Sequence, residues 1–169
     1  MKTGIKNIVL IGMPGCGKTT IGKLLASKLN KKFIDLDDYI ESENGCSIPD
    51  IFKNGEECFR KLESKAVEKI SVEKNIIIAT GGGVIKKKCN IENLKKNGIV
   101  VFIDRPLENI ISDVDISGRP LLKKGINEIE KIYNERYDIY KVYCDFSVHN
   151  TLNLEAIVDD IVKSCNEYI

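Results

Sequence analysis

The residues with the clearest chemical potential lie at Gly12 to Thr19, where the chain reads Gly-Met-Pro-Gly-Cys-Gly-Lys-Thr. This stretch matches the phosphate-loop pattern G-x-x-x-x-G-K-[ST] at each fixed position. A glycine-rich loop before a helix turns backbone N–H groups toward phosphate oxygens, and the helix N-terminus adds partial positive charge. We expect Lys18 to reach the outer phosphates of a nucleotide and Thr19 to bind Mg²⁺. The alternative is a glycine-rich turn that happens to precede a helix.

Two carboxylates follow the second apolar run of the chain. Asp35 and Asp37 are two residues apart, where a strand is predicted to end. Beside a phosphate site, Asp35 suits Mg²⁺, directly or through water, and Asp37 suits the acceptance of a proton from an attacking hydroxyl. The alternative is that Asp37 or Asp38 only caps a helix predicted over residues 38–44. Asp104, at the end of another predicted strand, competes with Asp35 as a metal ligand, and we favour Asp35.

Arginine is scarce in this chain, with four residues against 22 lysines: Arg60, Arg105, Arg119 and Arg136. Since lysine is the ordinary surface cation here, an arginine indicates a site that needs a planar, bidentate contact to an anion. Arg60 precedes Glu63 by three residues on one predicted helix face, so the two side chains can pair. An ordinary surface ion pair is the alternative.

The other two arginines with a predicted role lie in the second half of the chain. Arg119 precedes Pro120 in a stretch of mixed composition, 113–125, which we predict to be a mobile lid. An extended backbone before proline suits a side chain presented from a flap onto a transferring phosphoryl group. Arg136 lies among Tyr133, Tyr137 and Tyr140, and a structural arginine stacked on tyrosines is the alternative there.

Three consecutive glycines, Gly81 to Gly83, follow the third apolar run. Glycines at the end of a strand leave backbone amides open to close approach by a ligand. A flexible turn is the alternative, and we favour a ligand surface.

Five apolar runs alternate with longer amphipathic segments that are typical of helices. The runs are Ile8 to Ile11, Phe33 to Leu36, Ile76 to Ala79, Ile99 to Ile103 and Cys144 to Val148. This β-α-β-α rhythm predicts a parallel sheet covered by helices on both faces. In such sheets ligands bind beyond the carboxyl ends of the strands, where the motifs described above lie.

Length and charge restrict the function classes. The 169 residues suit one domain, 1–169, and the 26 basic and 25 acidic side chains nearly cancel, so no global field favours nucleic acid or a membrane surface. No apolar run approaches the roughly 20 residues that a membrane span requires. We therefore expect a cytosolic monomer whose partners are small molecules.

The six cysteines are scattered without a C-x-x-C pair, and the single histidine offers no metal cluster. Free thiols in a reducing compartment are expected. Cys16 differs because it lies in the phosphate loop, where a helix N-terminus can make a thiol reactive, and an inert small residue is the alternative.

Together these motifs resemble those of the shikimate kinase family. The matching features are the phosphate loop, Asp35-x-Asp37, Phe59-Arg60, Gly81-Gly82-Gly83, Gly118-Arg119-Pro120-Leu121-Leu122 and Arg136-x-x-x-Tyr140. They occur in the family's order. The resemblance implies an α/β fold of the P-loop NTPase type, a nucleoside-monophosphate-kinase-like three-layer α/β/α core with a five-stranded parallel sheet. It also implies ATP-dependent phosphorylation of shikimate at its 3-hydroxyl, in the biosynthesis of chorismate and the aromatic amino acids.

The resemblance further implies roles for single residues. Lys18, Asp37 and Arg119 would be catalytic, and Thr19 and Asp35 would bind Mg²⁺. The residues implied to bind ATP are Gly15, Cys16, Gly17, Lys18, Thr19, Thr20 and Arg119. Those implied to bind shikimate are Asp37, Arg60, Gly82 and Arg136, with residues 37–63 as the substrate segment. Ser112 stands where many members have an adenine-stacking arginine, and Asp138 where a proline is common.

Two other interpretations remain at this point. Another small-molecule kinase of this architecture, such as a gluconate kinase, would share the phosphate loop without needing paired arginines and a glycine triplet in this arrangement. A non-catalytic nucleotide-binding module would keep the loop and lack the chemistry. Intact Lys18, Thr19, Asp35 and Asp37 argue against that second interpretation.

Overall fold

The computed structural model describes residues 6–113, 125–151 and 153–168. Strands and helices alternate through most of it, as the apolar pattern predicts. In chain order they are β1 (Asn7–Ile11), α1 (Lys18–Leu29), β2 (Lys32–Asp35), α2 (Leu36–Asn44), α3 (Ile48–Phe52), α4 (Glu56–Ser71), β3 (Ile76–Ala79), α5 (Lys88–Asn97), β4 (Gly98–Asp104), α6 (Leu107–Asp113), α7 (Ile126–Tyr143), β5 (Phe146–His149) and α8 (Leu154–Glu167). A short 3₁₀ turn, Val84–Lys86, precedes α5.

The strands form one five-stranded parallel sheet in the order β2-β3-β1-β4-β5. The central strand β1 and its neighbour β3 are buried along their whole length, because helices cover both faces of the sheet. Helix α1 packs against β3 and α8, while α5 and α7 pack against β4. The predicted α/β fold with a five-stranded parallel sheet is confirmed.

Some boundaries differ from the prediction. The fifth strand was expected over residues 144–148, but it begins at Phe146 because α7 continues to Tyr143 and Cys144 is its C-cap, with an N–H donated to the Tyr140 carbonyl. Helix α2 begins at Leu36 rather than at residue 38, because Asp35 accepts hydrogen bonds from the N–H groups of its first turn.

The remaining expectations about the whole chain concern its cysteines and its apolar segments. All six cysteines are free thiols, as predicted for this spacing. None of the helices in the described part of the chain is both long and apolar enough to cross a membrane. Most of the predicted lid, residues 114–124, lies outside the described residues.

Candidate active site

The phosphate loop connects the central strand β1 to helix α1, as its sequence context predicts. Gly15 and Gly17 have φ values of 81° and 103°, a left-handed conformation that glycine adopts without steric cost. Gly17 is the N-cap of α1, and no side chain caps this helix end. The N–H groups of its first turn therefore have no side-chain acceptor, which is the arrangement that suits a bound anion.

Lys18 is buried at the base of this loop. Its Nζ donates hydrogen bonds to the carbonyls of Gly12 and Met13, both at 2.8 Å, and lies 3.6 Å from the Cys16 Sγ. Cys16 itself is fully buried. Contact between Lys18 and nucleotide phosphates remains a prediction, and so does contact by Thr20, which lines the cavity in front of the loop.

Two side chains to which the sequence analysis assigned no role donate hydrogen bonds to carbonyls of the loop. Arg105, directly after β4, donates from Nη1 to the Gly15 carbonyl at 2.9 Å. Asn150, directly after β5, donates from Nδ2 to the Cys16 carbonyl at 2.9 Å. Scarcity of arginine was the signal available for Arg105, whereas a lone asparagine after a strand carried no comparable signal.

Thr19 and Asp35, the two predicted ligands of Mg²⁺, lie in direct contact. The Thr19 Oγ1 donates to Asp35 Oδ2 at 2.7 Å. Asp35 Oδ1 also accepts from the Asp37 and Asp38 N–H groups, so Asp35 is the cap of α2. The alternative in which Asp37 or Asp38 caps this helix is therefore wrong. Hydroxyl and carboxylate oxygens are ligands that Mg²⁺ prefers, so the donor set fits the ion.

Asp104, the competing candidate for the metal, is engaged elsewhere. Its Oδ2 accepts from the Tyr137 hydroxyl at 3.0 Å and lies 3.4 Å from the His149 Nδ1. Burial and the Asp104 carboxylate raise the pKa of Tyr137 to about 12, so its hydroxyl keeps the proton that it donates. Asp104 therefore supports the packing of α7 on the sheet.

A cavity of about 290 Å³ opens in front of the phosphate loop. Residues that follow the carboxyl ends of several strands line it, as expected for a parallel sheet. The lining residues are Gly15, Gly17, Lys18, Thr19, Thr20, Asp35, Asp37, Thr80, Gly81, Gly82 and Arg105. Both predicted catalytic residues in the described part of the chain, Lys18 and Asp37, thus line one cavity with both predicted metal ligands.

Arg60 and Glu63 form the predicted pair, and it is buried. Arg60 is 4% exposed and Glu63 0% exposed, and Arg60 Nη1 lies 2.8 Å from Glu63 Oε2. The ordinary surface ion pair is therefore the wrong interpretation. Burial raises the pKa of Glu63, and the Arg60 guanidinium opposes that shift. Arg60 Nε also donates to Glu56 Oε1 at 3.2 Å, so two carboxylates orient the guanidinium.

The glycine triplet gives these side chains room. A Cβ on Gly83 would lie 2.2 Å from the Arg60 Nη2, and one on Gly81 would lie 3.0 Å from the Asp37 Oδ1. The Gly82 carbonyl accepts from the Tyr140 hydroxyl at 2.5 Å. The triplet is therefore a close-packed surface between Arg60 and Asp37 rather than a flexible turn.

Arg136, on α7, is buried at 4% exposure, and its guanidinium opposes the rise that burial causes in the pKa of Tyr140. Its charge also acts on Glu63, as does that of Arg60. The tyrosine-stacking alternative does not describe it, because Tyr133 and Tyr137 stack on each other and the cation over the Tyr137 ring belongs to Lys141. Arg60 thus contacts Glu63 directly, and Arg136 acts on the pKa of the same carboxylate through its charge.

Three further positions named from the sequence are Arg119, Ser112 and Asp138. Arg119 lies outside the described residues. Ser112 donates its hydroxyl to the Asn109 carbonyl at 3.1 Å. Asp138 is exposed, whereas Arg136 two residues earlier is buried.

Comparison with known proteins agrees with this arrangement. The family model described as shikimate kinase matches residues 14–166. A shikimate kinase of Clostridium botulinum is 51% identical over 156 residues, which are 92% of this chain and 94% of that protein. The shikimate kinase of Acinetobacter baumannii in complex with shikimate superposes with a TM-score of 0.92 at 31% identity, covering 97% of this chain and 94% of that one. For the shikimate kinase of Aquifex aeolicus the TM-score is 0.83 at 38% identity, with 95% and 96% covered. This chain belongs to the shikimate kinase family.

Proposed function

We propose that this protein phosphorylates shikimate at its 3-hydroxyl with ATP, giving shikimate 3-phosphate and ADP in the route to chorismate and the aromatic amino acids. The observation that carries the proposal is that a phosphate-binding loop and a candidate acceptor site lie together at one edge of the sheet. The phosphate loop and Asp37 line one cavity, and the glycine triplet packs against both Asp37 and Arg60. Family membership identifies the acceptor as shikimate.

The chemistry is an in-line phosphoryl transfer. The hydroxyl oxygen of shikimate forms a bond to the γ-phosphorus, the bond to the bridging oxygen breaks, and ADP leaves. Asp37 accepts the hydroxyl proton, while Lys18 and Arg119 neutralise charge that develops on the phosphoryl oxygens. Gly15, Cys16, Gly17, Thr19 and Thr20 complete the ATP site. The protein mainly positions the reactants and provides charge.

Thr19 and Asp35 are the residues that hold Mg²⁺ in this proposal. The ion, when bound, neutralises charge on the β- and γ-phosphates. Thr19 Oγ1 and Asp35 Oδ2 are 2.7 Å apart, and Asp35 caps α2. These contacts hold the Thr19 hydroxyl at the start of α1 and the Asp35 carboxylate at the start of α2. The Asp35 carboxylate is therefore oriented before any ligand binds.

The acceptor site uses the buried arginines. Arg60 and Arg136 bind the carboxylate of shikimate, Gly82 lies beside the ring, and Glu63 with Glu56 holds the Arg60 guanidinium in place. Buried guanidinium groups suit this task because their N–H donors are fixed before the anion arrives.

The proposal covers the whole chain as one domain, 1–169, with a substrate segment at residues 37–63 and a lid at 113–125. The lid would close over both substrates and exclude water, which limits wasteful hydrolysis of ATP. We further propose a monomer that acts in the cytoplasm on small molecules alone. Its 26 basic and 25 acidic side chains nearly cancel, so no net charge attracts it to nucleic acid or to a lipid surface.

Release of ADP in the presence of shikimate tests the function. We expect shikimate-dependent turnover of MgATP in a coupled assay and only background turnover with gluconate, which lacks a ring to fill the acceptor site. Turnover with gluconate alone would identify a related kinase of the same architecture. Tight ATP binding without turnover on either acceptor would indicate a non-catalytic module.

Asp37→Asn tests the proton acceptor. This nearly isosteric change removes the basic oxygen, so we expect kcat to fall about 100-fold or more while the Kd for ATP stays within about twofold. Single-turnover kinetics and calorimetry measure the two quantities. Asp38→Asn, at the exposed neighbouring position, is the matched control. Near-normal kcat in Asp37→Asn would contradict the assigned role.

Arg60→Lys tests the carboxylate contact. Lysine keeps the charge but lacks the planar set of N–H donors with which arginine can contact Glu63, Glu56 and a substrate carboxylate at the same time. We therefore expect the KM for shikimate to rise about tenfold or more, with the KM for ATP little changed. Steady-state kinetics with each substrate varied measures both. Lys61→Arg, the reverse exchange at an exposed neighbour, should leave both constants unchanged. An unchanged KM for shikimate in Arg60→Lys would refute the contact.

Arg119→Ala tests the lid arginine. If its guanidinium stabilises the transferring phosphoryl group, kcat falls by about 10³-fold or more. Lys123→Ala removes a positive charge from the same segment and should have little effect on kcat. Unchanged turnover in Arg119→Ala would mean that the residue has no catalytic role.

A further inference from the structure

Arg105 occupies an unusual position for a charged side chain. It follows β4 directly and is 8% exposed, at the edge of the cavity in front of the phosphate loop. Taking a cation out of water costs free energy unless hydrogen bonds and an opposite charge replace the solvent. The contacts of its guanidinium therefore indicate what the residue does.

The guanidinium connects two parts of the chain. Nη1 donates to the Gly15 carbonyl at 2.9 Å, across 90 residues of sequence. Nη2 pairs with Asp113 Oδ2 at the end of α6. The Asp113 side chain is 58% exposed, so its carboxylate is partly solvated and orients a cation that is almost wholly buried. Lysine carries all its donors on one nitrogen, so it would lack the two separate donor positions that Nη1 and Nη2 provide here.

The bond to Gly15 fixes the orientation of one peptide unit in the loop. Its carbonyl accepts from Arg105, and its N–H, which belongs to Cys16, donates to the Met13 carbonyl at 3.1 Å. A trans peptide is planar with its C=O and N–H pointing in opposite directions. Held at both ends, this unit cannot rotate without breaking one of the two bonds.

The carbonyl of the following peptide unit is held from the next strand. Asn150 donates to the Cys16 carbonyl at 2.9 Å, which directs the Gly17 N–H to the opposite side. Gly17 lines the cavity that faces the loop. A loop whose peptide planes are fixed in advance loses less conformational entropy when an anion binds.

We propose that Arg105 is a positioning residue of the nucleotide site, which fixes the Gly15–Cys16 peptide of the phosphate loop and is itself oriented by Asp113. The proposal rests on the assignment of the loop as the nucleotide site. It makes nucleotide affinity depend on a side chain that lies outside the loop motif. Arg60 of the acceptor site is oriented by Glu56 and Glu63 instead, so we expect shikimate binding to be much less affected than nucleotide binding.

Arg105→Lys and Asp113→Asn test the proposal through binding rather than turnover. Calorimetry with MgADP measures the nucleotide Kd, and steady-state kinetics measures the KM for shikimate. We expect the Kd for MgADP to rise about tenfold in Arg105→Lys and severalfold in Asp113→Asn. The KM for shikimate should stay within about twofold in both variants. The double variant should weaken binding by less than the product of the two single effects, because both changes disturb one chain of contacts.

Glu108→Gln is the matched control for Asp113→Asn, since Glu108 is an exposed carboxylate on the same helix. It should leave the Kd for MgADP unchanged. A Kd within twofold of the parent in Arg105→Lys, or an equal loss of nucleotide and shikimate affinity, would overturn the proposal. Failure of the proposed kinase activity is a separate outcome, because MgADP binding is measured without shikimate and without turnover.

Discussion

The position of β1 in the centre of the sheet is the constraint on which the rest of the site depends. With the order β2-β3-β1-β4-β5, the phosphate loop that leaves β1 has two strand ends on each side. Asp35 and the glycine triplet approach from β2 and β3, and Arg105 and Asn150 approach from β4 and β5. Parallel pairing brings all these carboxyl ends to one edge, so the residues of the proposed donor, metal and acceptor sites meet there.

The two sides of the loop have different tasks. On the β2 and β3 side lie the carboxylates and the guanidinium group that we propose face the reactants, and the absence of Cβ atoms on Gly81 and Gly83 lets Asp37 and Arg60 approach closely. On the β4 and β5 side, Arg105 and Asn150 hold loop carbonyls. The proposed catalytic groups thus lie on one side of the loop, and the hydrogen bonds from Arg105 and Asn150 reach it from the other.

Much of this arrangement was predictable from local sequence. Alternating apolar runs indicated the strands, and the phosphate-loop spacing indicated the turn between β1 and α1, because both patterns follow from backbone geometry. The boundaries were less certain. Cys144 was assigned to β5 because it is apolar, but it caps α7, and Asp35 was assigned to metal alone, although it also caps α2. Caps depend on side-chain rotamers, which residue type alone does not specify.

By itself the sequence determined the strand-loop-helix unit, the two-residue spacing of Asp35 and Asp37 and the helical pairing of Arg60 with Glu63, since each depends on residues close together in the chain. Only the tertiary structure decided that Arg60 and Glu63 are buried, that Asp104 is bound to Tyr137 and that Arg105 holds a carbonyl 90 residues away. Burial and long-range hydrogen bonds depend on which elements pack together. That outcome is set by the order of the strands in the sheet, a property of the whole chain.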